Sequence, residues 1–452
     1  MGRVKMRAAP DPAACLLDAW AGLFELPLPW RNLPPNTPMA NWIEMQDIHA
    51  WSLGMEDLRC VGFNRSGLLS LRLLIRGIRR SDDRYMKQVG LSVLTDHVAD
   101  LLRNRWKRDD AQRPDVDWLK NEVGAWLSSQ ACPQTHFIPC KISSQTADSF
   151  DIGPVTFVHM DNFAPQTFGL KLHADGQPVN LERWKTDYRA DWIAVVDVTG
   201  REKERSLEVA EMTVDLCLGA LQTVTRDPRG RDISRLTGRT MFDHKLSLVS
   251  DPTGFWSHGW RARQSFDMPG PILGELLQQT AADIQNMGRI IGRFKDESSL
   301  LPLLEQGWCD ALFWFHEGLS EPLDSVAITK METAIENLFC AESAKGSRTR
   351  LLQGFKSLFG VDGPSQFDAI LPVTVDEFVE AIVTARSRIL HGTWSTLANR
   401  DGEVERRDVA RLTQNFIMIS ARAIEAYGKS FNPTDNVDAL LAWAEKSRRN
   451  RS

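Results

Sequence analysis

No run of apolar residues in this chain is long enough to cross a bilayer as a helix, which takes about 20 residues. The sequence reads as that of a protein without a membrane anchor. The stretch A-A-C-L-L-D-A-W-A-G-L-F-E-L near the start is apolar, but Asp18 and Glu25 interrupt it, so it makes a poor signal peptide. Cysteine is sparse: the seven are scattered and odd in number, which argues against a disulfide framework and for reduced thiols in the cytoplasm. No carboxylate cluster suited to two metals stands out. The glycine pattern of a Rossmann or P-loop site is missing too. V-T-G-R-E-K-E-R sits between a strand and a helix, but reads as a plain β–α connection. There is no internal repeat. Tyrosine numbers only three against 15 tryptophans. No chemistry follows from that imbalance, and the tryptophans are assigned to cores.

The 452 residues suffice for two or three domains with real cores. A net charge of −5 excludes a protein whose whole surface binds nucleic acid, but leaves room for a local basic cleft. The expected fold class is α+β. Residues 1–130 read as mainly helical, 131–265 as mixed α/β with a possible sensor or regulatory role, and 266–430 as a helical linker and bundle. Residues 431–452 read as a basic, mobile tail.

Prolines 27, 29, 34, 35 and 38 mark an early loop. Leu68–Arg80 is ambiguous between strand and helix. As a helix it buries Leu71, Leu74, Ile75 and Ile78 and shows Arg72, Arg76, Arg79 and Arg80, a stripe read as a solvated face in preference to an RNA contact. Val93–Trp106 and Val116–Leu127 look like further helices. F-I-P-C-K-I, F-D-I-G-P-V-T-F-V, W-I-A-V-V-D-V and H-K-L-S-L-V read as strands. Ser206–Leu221 is an amphipathic helix with Leu207, Ala210, Val214 and Leu221 on one side. Within this region Cys132, His136 and Cys140 crowd together, but four ligands are needed for structural zinc and the spacing matches no finger, so buried or loop residues are the default.

From Pro271 the pattern is one long helix, where Gly288 and Gly292 would permit close packing. The next helices carry Trp308, Leu312 and Phe315, then Ile328, Met331, Ile335 and Leu338. His316 is expected to be partly exposed, and Glu332 to lie on a solvated face. Ala344–Arg350 reads as a polar link to a short helix ending at Gly360. The final helix, Val409–Phe431, places Leu412, Phe416, Ile419 and Ala423 at core spacing.

One helix stands apart. In V-D-E-F-V-E-A-I-V-T-A-R-S-R-I-L-H-G, residues Val375, Phe378, Val379, Ile382 and Ile389 share one face. Arg386 falls on that same face. A charge there must pair inside the fold or face a cleft or a second chain. His391 is five residues on, rotated by about 140° on an ideal helix. Gly392 is a natural stop, so His391 sits in the last turn.

R-S-R-I-L-H, Arg386 to His391, resembles the R-x4-H signature of HEPN ribonucleases. A-L-F-W-F-H-E-G-L-S (Ala311 to Ser320) and K-M-E-T-A-I-E-N-L-F (Lys330 to Phe339) resemble the first helices of Apea-like HEPN domains. The similarity covers about the last third of the chain. It implies an all-α HEPN-like bundle acting as a metal-independent endoribonuclease with Arg386 and His391 catalytic, supported by Ser387. Glu336 would orient Arg386, and Arg388 would contact RNA. No cofactor or metal is expected. The resemblance also implies a homodimer through the C-terminal bundle, and a toxin or antiphage defence effector whose first part controls the nuclease in response to an unspecified phage or antitoxin trigger. The alternative is a non-catalytic RNA-binding or dimerisation module, with Arg386 paired inside and His391 capping the helix.

Overall fold

The computed structural model describes residues 11–26, 49–53, 60–108, 112–169, 181–225, 228–236, 244–250, 256–262, 268–340, 344–367, 373–391 and 405–450. The chain forms two compact units. One takes in residues 1–134 and 198–209, the other 135–197 and 210–452.

In the first unit α1 (Pro12–Ala21) starts where Asp11 accepts the N–H of Ala13 at 3.1 Å, with Pro12 at the first helical position. Three short strands follow, β1 (Leu23–Leu26), β2 (His49–Leu53) and β3 (Cys60–Phe63), in antiparallel order β1-β3-β2. This small sheet lies in a region expected to be helix and loop. Asn64 then caps α2 (Arg65–Ser81) by accepting from Gly67 N–H at 2.8 Å. The helical reading of this stretch is correct. Leu68, Leu71, Leu74, Ile75 and Ile78 are buried, and Arg72, Arg76 and Arg80 are exposed. Arg79 is half-buried, with Nη2 donating to the Met86 carbonyl at 3.4 Å. After α3 (Asp83–Gln88), α4 (Leu91–Trp106) and α5 (Val116–Gln130) add Leu94, Val98, Leu102, Leu119 and Val123 to the same core.

The second unit contains a five-stranded sheet. Its strands are β4 (Gln134–Lys141), β5 (Phe150–Ile152), β6 (Val155–His159), β7 (Trp192–Val198) and β8 (Ser234–Arg235), in the order β5-β6-β7-β4-β8. Between β6 and β7 lies the short helix α6 (Leu181–Thr186). Strand β7 is buried at every position but Asp197, as a central strand covered on both faces must be. After it comes α7 (Lys203–Val224). Ala210, Val214 and Leu221 of α7 are buried as expected, whereas Leu207 is exposed. Strands β9 (His244–Ser250) and β10 (Trp256–Ala262) pair as a separate antiparallel hairpin.

Helices make up the rest. The long helix expected after Pro271 is two, α8 (Gly270–Gln279) and α9 (Ala281–Lys295). Thr280 separates them with φ −104° and ψ 12°, and its hydroxyl donates to the Leu276 carbonyl at 2.7 Å, competing with helix continuation. Next come α10 (Pro302–Ser320), α11 (Asp324–Phe339) and α12 (Ala344–Gly354), so the polar link is itself helical. A π-helical turn, Phe355–Phe359, continues it and ends at Gly360, where φ is +77°. Then follow α13 (Val375–Leu390), α14 (Arg406–Gly428) and α15 (Val437–Arg449). The expected basic tail is thus largely a helix. Leu440 and Leu441 of α15 are buried, and Arg448 donates to the Lys356 carbonyl at 3.2 Å.

The expected stripes of α10 and α11 are buried without exception. On α14 the buried face runs through Leu412, Phe416, Ile417 and Ile424, leaving Ile419 and Ala423 half-exposed. Trp308 donates its indole N–H to the Ile417 carbonyl at 2.9 Å. No helix among the described residues is long and apolar enough to cross a membrane.

Bundle and sheet meet at two glycines. Gly153, with φ +55°, turns the β5–β6 hairpin and lies against Gly288 of α9. A Cβ on Gly288 would stand 2.5 Å from the Gly153 nitrogen, whereas one on Gly292 would meet only Pro154 at 4.0 Å. Gly288→Ala is therefore expected to destabilise the protein by about 1–3 kcal/mol. Gly292→Ala should be neutral or stabilising by up to about 1 kcal/mol. Urea unfolding of the two variants checks the contrast.

Candidate functional site

Helix α13 is well specified at its start. Thr374 accepts from Glu377 N–H at 3.2 Å while the Glu377 carboxylate accepts from Thr374 N–H at 2.8 Å, a complete capping box. Val375, Phe378, Val379 and Ile382 are buried as the spacing requires, and Phe378 stacks on Phe367 at 3.9 Å. Ile389 is only half-buried, so the apolar stripe thins toward the end of the helix.

Arg386 lies where the stripe thins, with 24 % of its side chain exposed. Its guanidinium faces α11. Nη1 donates to Glu336 Oε1 at 3.0 Å, and Nη2 reaches Glu336 Oε2 at 2.6 Å, a two-pronged grip. Nε lies 2.7 Å from Glu332 Oε2, within ion-pair distance but without hydrogen-bond alignment. Glu336 also accepts a short hydrogen bond from the Ser347 hydroxyl of α12. Three helices therefore converge on one guanidinium.

Glu332 was expected on a solvated face, yet it has no exposed surface. Glu332 and Glu336 are four residues apart on one helix, so both side chains point the same way, toward Arg386. One guanidinium cannot neutralise two carboxylates. Burial first, and then the charge on Glu336, push Glu332 from the ordinary value near 4.5 up to about 8, against the pull of Arg386. At neutral pH Glu332 is thus mostly protonated, leaving a balanced pair between Arg386 and Glu336.

His391 closes the helix. Its backbone N–H bonds to the Ser387 carbonyl at 3.0 Å and its side chain is exposed. Among the described residues the imidazole makes no hydrogen bond to Arg386. Ser387 is half-buried and Arg388 exposed. Glu336, Arg386 and Ser347 thus form one cluster, while His391 and Arg388 stand at the exposed helix end. Glu332 and Ser347 are the members that sequence reasoning missed. For Glu332 a signal existed in a pair of acids one turn apart beside an apolar stripe; Ser347 carried none.

One other polar cluster differs from expectation. His316 is 2 % exposed, with Nδ1 2.7 Å from Gln222 Oε1 and Nε2 3.9 Å from Asp215. Asp215 in turn grips Arg235 of β8 through two hydrogen bonds at 2.8 and 3.0 Å. All four side chains are buried in a network that ties the sheet to α7 and α10. Cys132 is exposed, whereas Cys140 is buried in β4, and burial raises its thiol far above the usual range. A thiol held protonated is a poor metal ligand. Among the described residues no group of three His, Cys, Asp or Glu is placed to hold a metal.

Comparison of the chain with protein-family models, with curated proteins and with solved structures finds no match in any of the three.

Glu332 carries a test of its own. Its folded pKa lies above its unfolded value, so the folded state binds the extra proton. Stability from this group is therefore greatest in acid and is lost as pH rises from about 4.5 to about 8. Glu332→Gln, which copies the protonated carboxyl, should flatten that dependence. Melting temperatures of parent and variant across this range check it, and identical slopes would remove Glu332 as the source.

Proposed function

We propose that this protein is a metal-independent endoribonuclease whose active centre is the end of α13. One observation carries the reading. A single helix end offers a partly exposed arginine, oriented by Glu336, and five residues on an exposed histidine. The likeness of Arg386–His391 to the R-x4-H signature supports it.

The chemistry suits these groups. RNA supplies its own nucleophile, the 2′-hydroxyl. A neutral His391 takes its proton, or a protonated His391 donates one to the departing 5′-oxygen. Arg386 stabilises the extra charge on the crowded phosphate. A guanidinium has five N–H donors. Two bond Glu336 and a third faces Glu332, which leaves two Nη hydrogens for a phosphate. Products carry a 2′,3′-cyclic phosphate and a 5′-hydroxyl. Ser387 is a supporting residue, and Arg388 an RNA contact at the exposed end. The HEPN likeness adds a homodimer through the bundle, and control of a toxin- or defence-type nuclease by the rest of the chain.

A second reading is favoured by the same clamp. Arg386 answers Glu336 beside a protonated Glu332, and such a pair can serve packing alone, in a bundle that binds RNA or a second copy without cutting. The clamp also decides which variant discriminates. Arg386→Lys keeps the charge but loses the fork that grips Glu336, so inactivity of that variant alone would prove little. His391 is the cleaner probe because it is exposed. His391→Ala should change stability by about 1 kcal/mol or less and lower the rate of RNA cleavage in EDTA by about two to four powers of ten. A parent protein that leaves RNA intact in EDTA, or a variant as active as the parent, sinks the nuclease reading.

Sedimentation at micromolar concentration checks the homodimer, which should bury on the order of 1,000 Å² or more. A strictly monomeric species that still cuts RNA would overturn it.

A further inference from the structure

Helix α2 carries five arginines, Arg65, Arg72, Arg76, Arg79 and Arg80, and no carboxylate. From Arg65 through Lys87, seven cations stand against two carboxylates, in a chain whose overall charge is −5. Both acids, Asp82 and Asp83, lie past the end of α2, and Asp82 is taken by Arg84 at 2.6 Å.

Three of the arginines form a row. On an ideal helix Arg72, Arg76 and Arg80 fall within about 80° of one another and follow at intervals of about 6 Å along the axis. All three are exposed. On the other side of the helix Leu71, Leu74, Ile75 and Ile78 are buried in the core of the first unit, which holds the row in place. Helix α1, with Asp11 and Asp18, packs along the flank where Gly67 meets Gly22 and Gly77 faces Pro12, off the row.

Among the described residues none of the three makes an ion pair or a hydrogen bond. Exposed arginines elsewhere do: Arg183 pairs with Asp187 and Arg449 with Glu445, each four residues apart. Like charges at that spacing destabilise a helix. Arg80, in the last turn, offsets this by complementing the negative end of the helix dipole. Arg72 and Arg76 lie too far from that end to do so. A solvated surface mixes the signs of its charges. Spacing alone reads this stripe as such a surface, but a row that repels itself and meets no carboxylate in the fold calls for an anion from outside.

The row is linear, lies on a convex surface and spans about 12 Å. That suits a chain of regularly spaced charges and not one small ion. It also argues against a membrane. A helix lying on anionic lipid buries a broad apolar face beside its cations, whereas the one large apolar side chain that α2 exposes is Leu69.

We propose that this face binds a single strand of RNA by its phosphates, through Arg72, Arg76 and Arg80, without reading its bases. An arginine fork matches phosphate oxygens, and phosphate contacts carry no sequence information. That the strand is RNA rests on the nuclease reading of α13; the surface belongs to the first unit and needs no residue of that site.

The test is fluorescence anisotropy of the full chain with a labelled 2′-O-methyl RNA of about 20 nucleotides, in EDTA, as salt is raised from 50 to 200 mM. This RNA lacks the attacking 2′-hydroxyl, so binding is read whether or not α13 cuts. Three contacts to a single strand contribute about 2 to the slope of log Kd against log salt. Arg72→Gln/Arg76→Gln/Arg80→Gln should lower the slope by about that much, weaken binding at low salt by about tenfold or more, and melt at or above the parent temperature. If the triple variant melts lower, Arg72→Gln and Arg76→Gln singly carry the test, each lowering the slope by about 0.7. Arg183→Gln/Arg407→Gln/Arg449→Gln removes the same charge from paired, exposed arginines and should bind as the parent does. No binding by the parent at low salt, an unchanged slope in the row variants, an equal loss in the charge-matched control, or binding to phosphatidylserine vesicles through the row with RNA left free would overturn the proposal. Loss of cleavage alone, with this binding intact, would count against the nuclease reading and not against the row.

Discussion

Two carboxylates one helical turn apart on α11 hold one guanidinium from α13, with a serine from α12 completing the set. The last part of the chain is organised around this contact. A charge inside a helical bundle has to be answered, since water is not there to do it. Arg386 answers Glu336 directly. Glu332 is left with a proton in place of a counter-ion. The arrangement joins three helices and leaves Arg386 partly open to solvent.

The same constraint recurs through the second unit. Arg293 stands between Glu305 and Glu425, and Glu425 is shared with Arg289. Asp283 of α9 pairs with Arg422 of α14. Asp215 and Arg235 join a strand to a helix. Each pair joins two different elements. Such pairs add little net stability over a well-packed apolar core, because removing charge from water costs several kcal/mol per ion. Their effect lies in register: a helix slipped by one turn would leave buried members such as Glu305, Glu425 and Asp215 without a partner. The Gly153–Gly288 approach sets the sheet against α9 by a different means, the absence of side chains.

How much of this was legible varies with the range of the interaction. The stripe Val375–Ile382 and the faces of α10 and α11 follow from periodicity, the strand Trp192–Val198 from its β-branched and aromatic run, and the structure places them as expected. Periodicity failed where a local competitor intervened. Thr280 breaks a helix that the apolar pattern runs straight through. It failed also where polarity was taken for exposure. Glu332 and His316 look like surface residues on their helices and are among the most buried groups in the protein. The helix Val437–Arg449 was hidden by its basic end, although Leu440 and Leu441 carried the signal.

By itself the sequence determined the helical and β-rich stretches, the apolar faces, and the oddity of an arginine within one of them. These rest on neighbours three, four or two positions apart, and the chain carries that information locally. Only the tertiary structure decided what Arg386 pairs with, since its partner lies 50 residues away. It alone left Arg72, Arg76 and Arg80, evenly spaced in the sequence, without a partner among the described residues. Burial and charge pairing are properties of surfaces brought together, and no spacing along the chain encodes which surfaces those are.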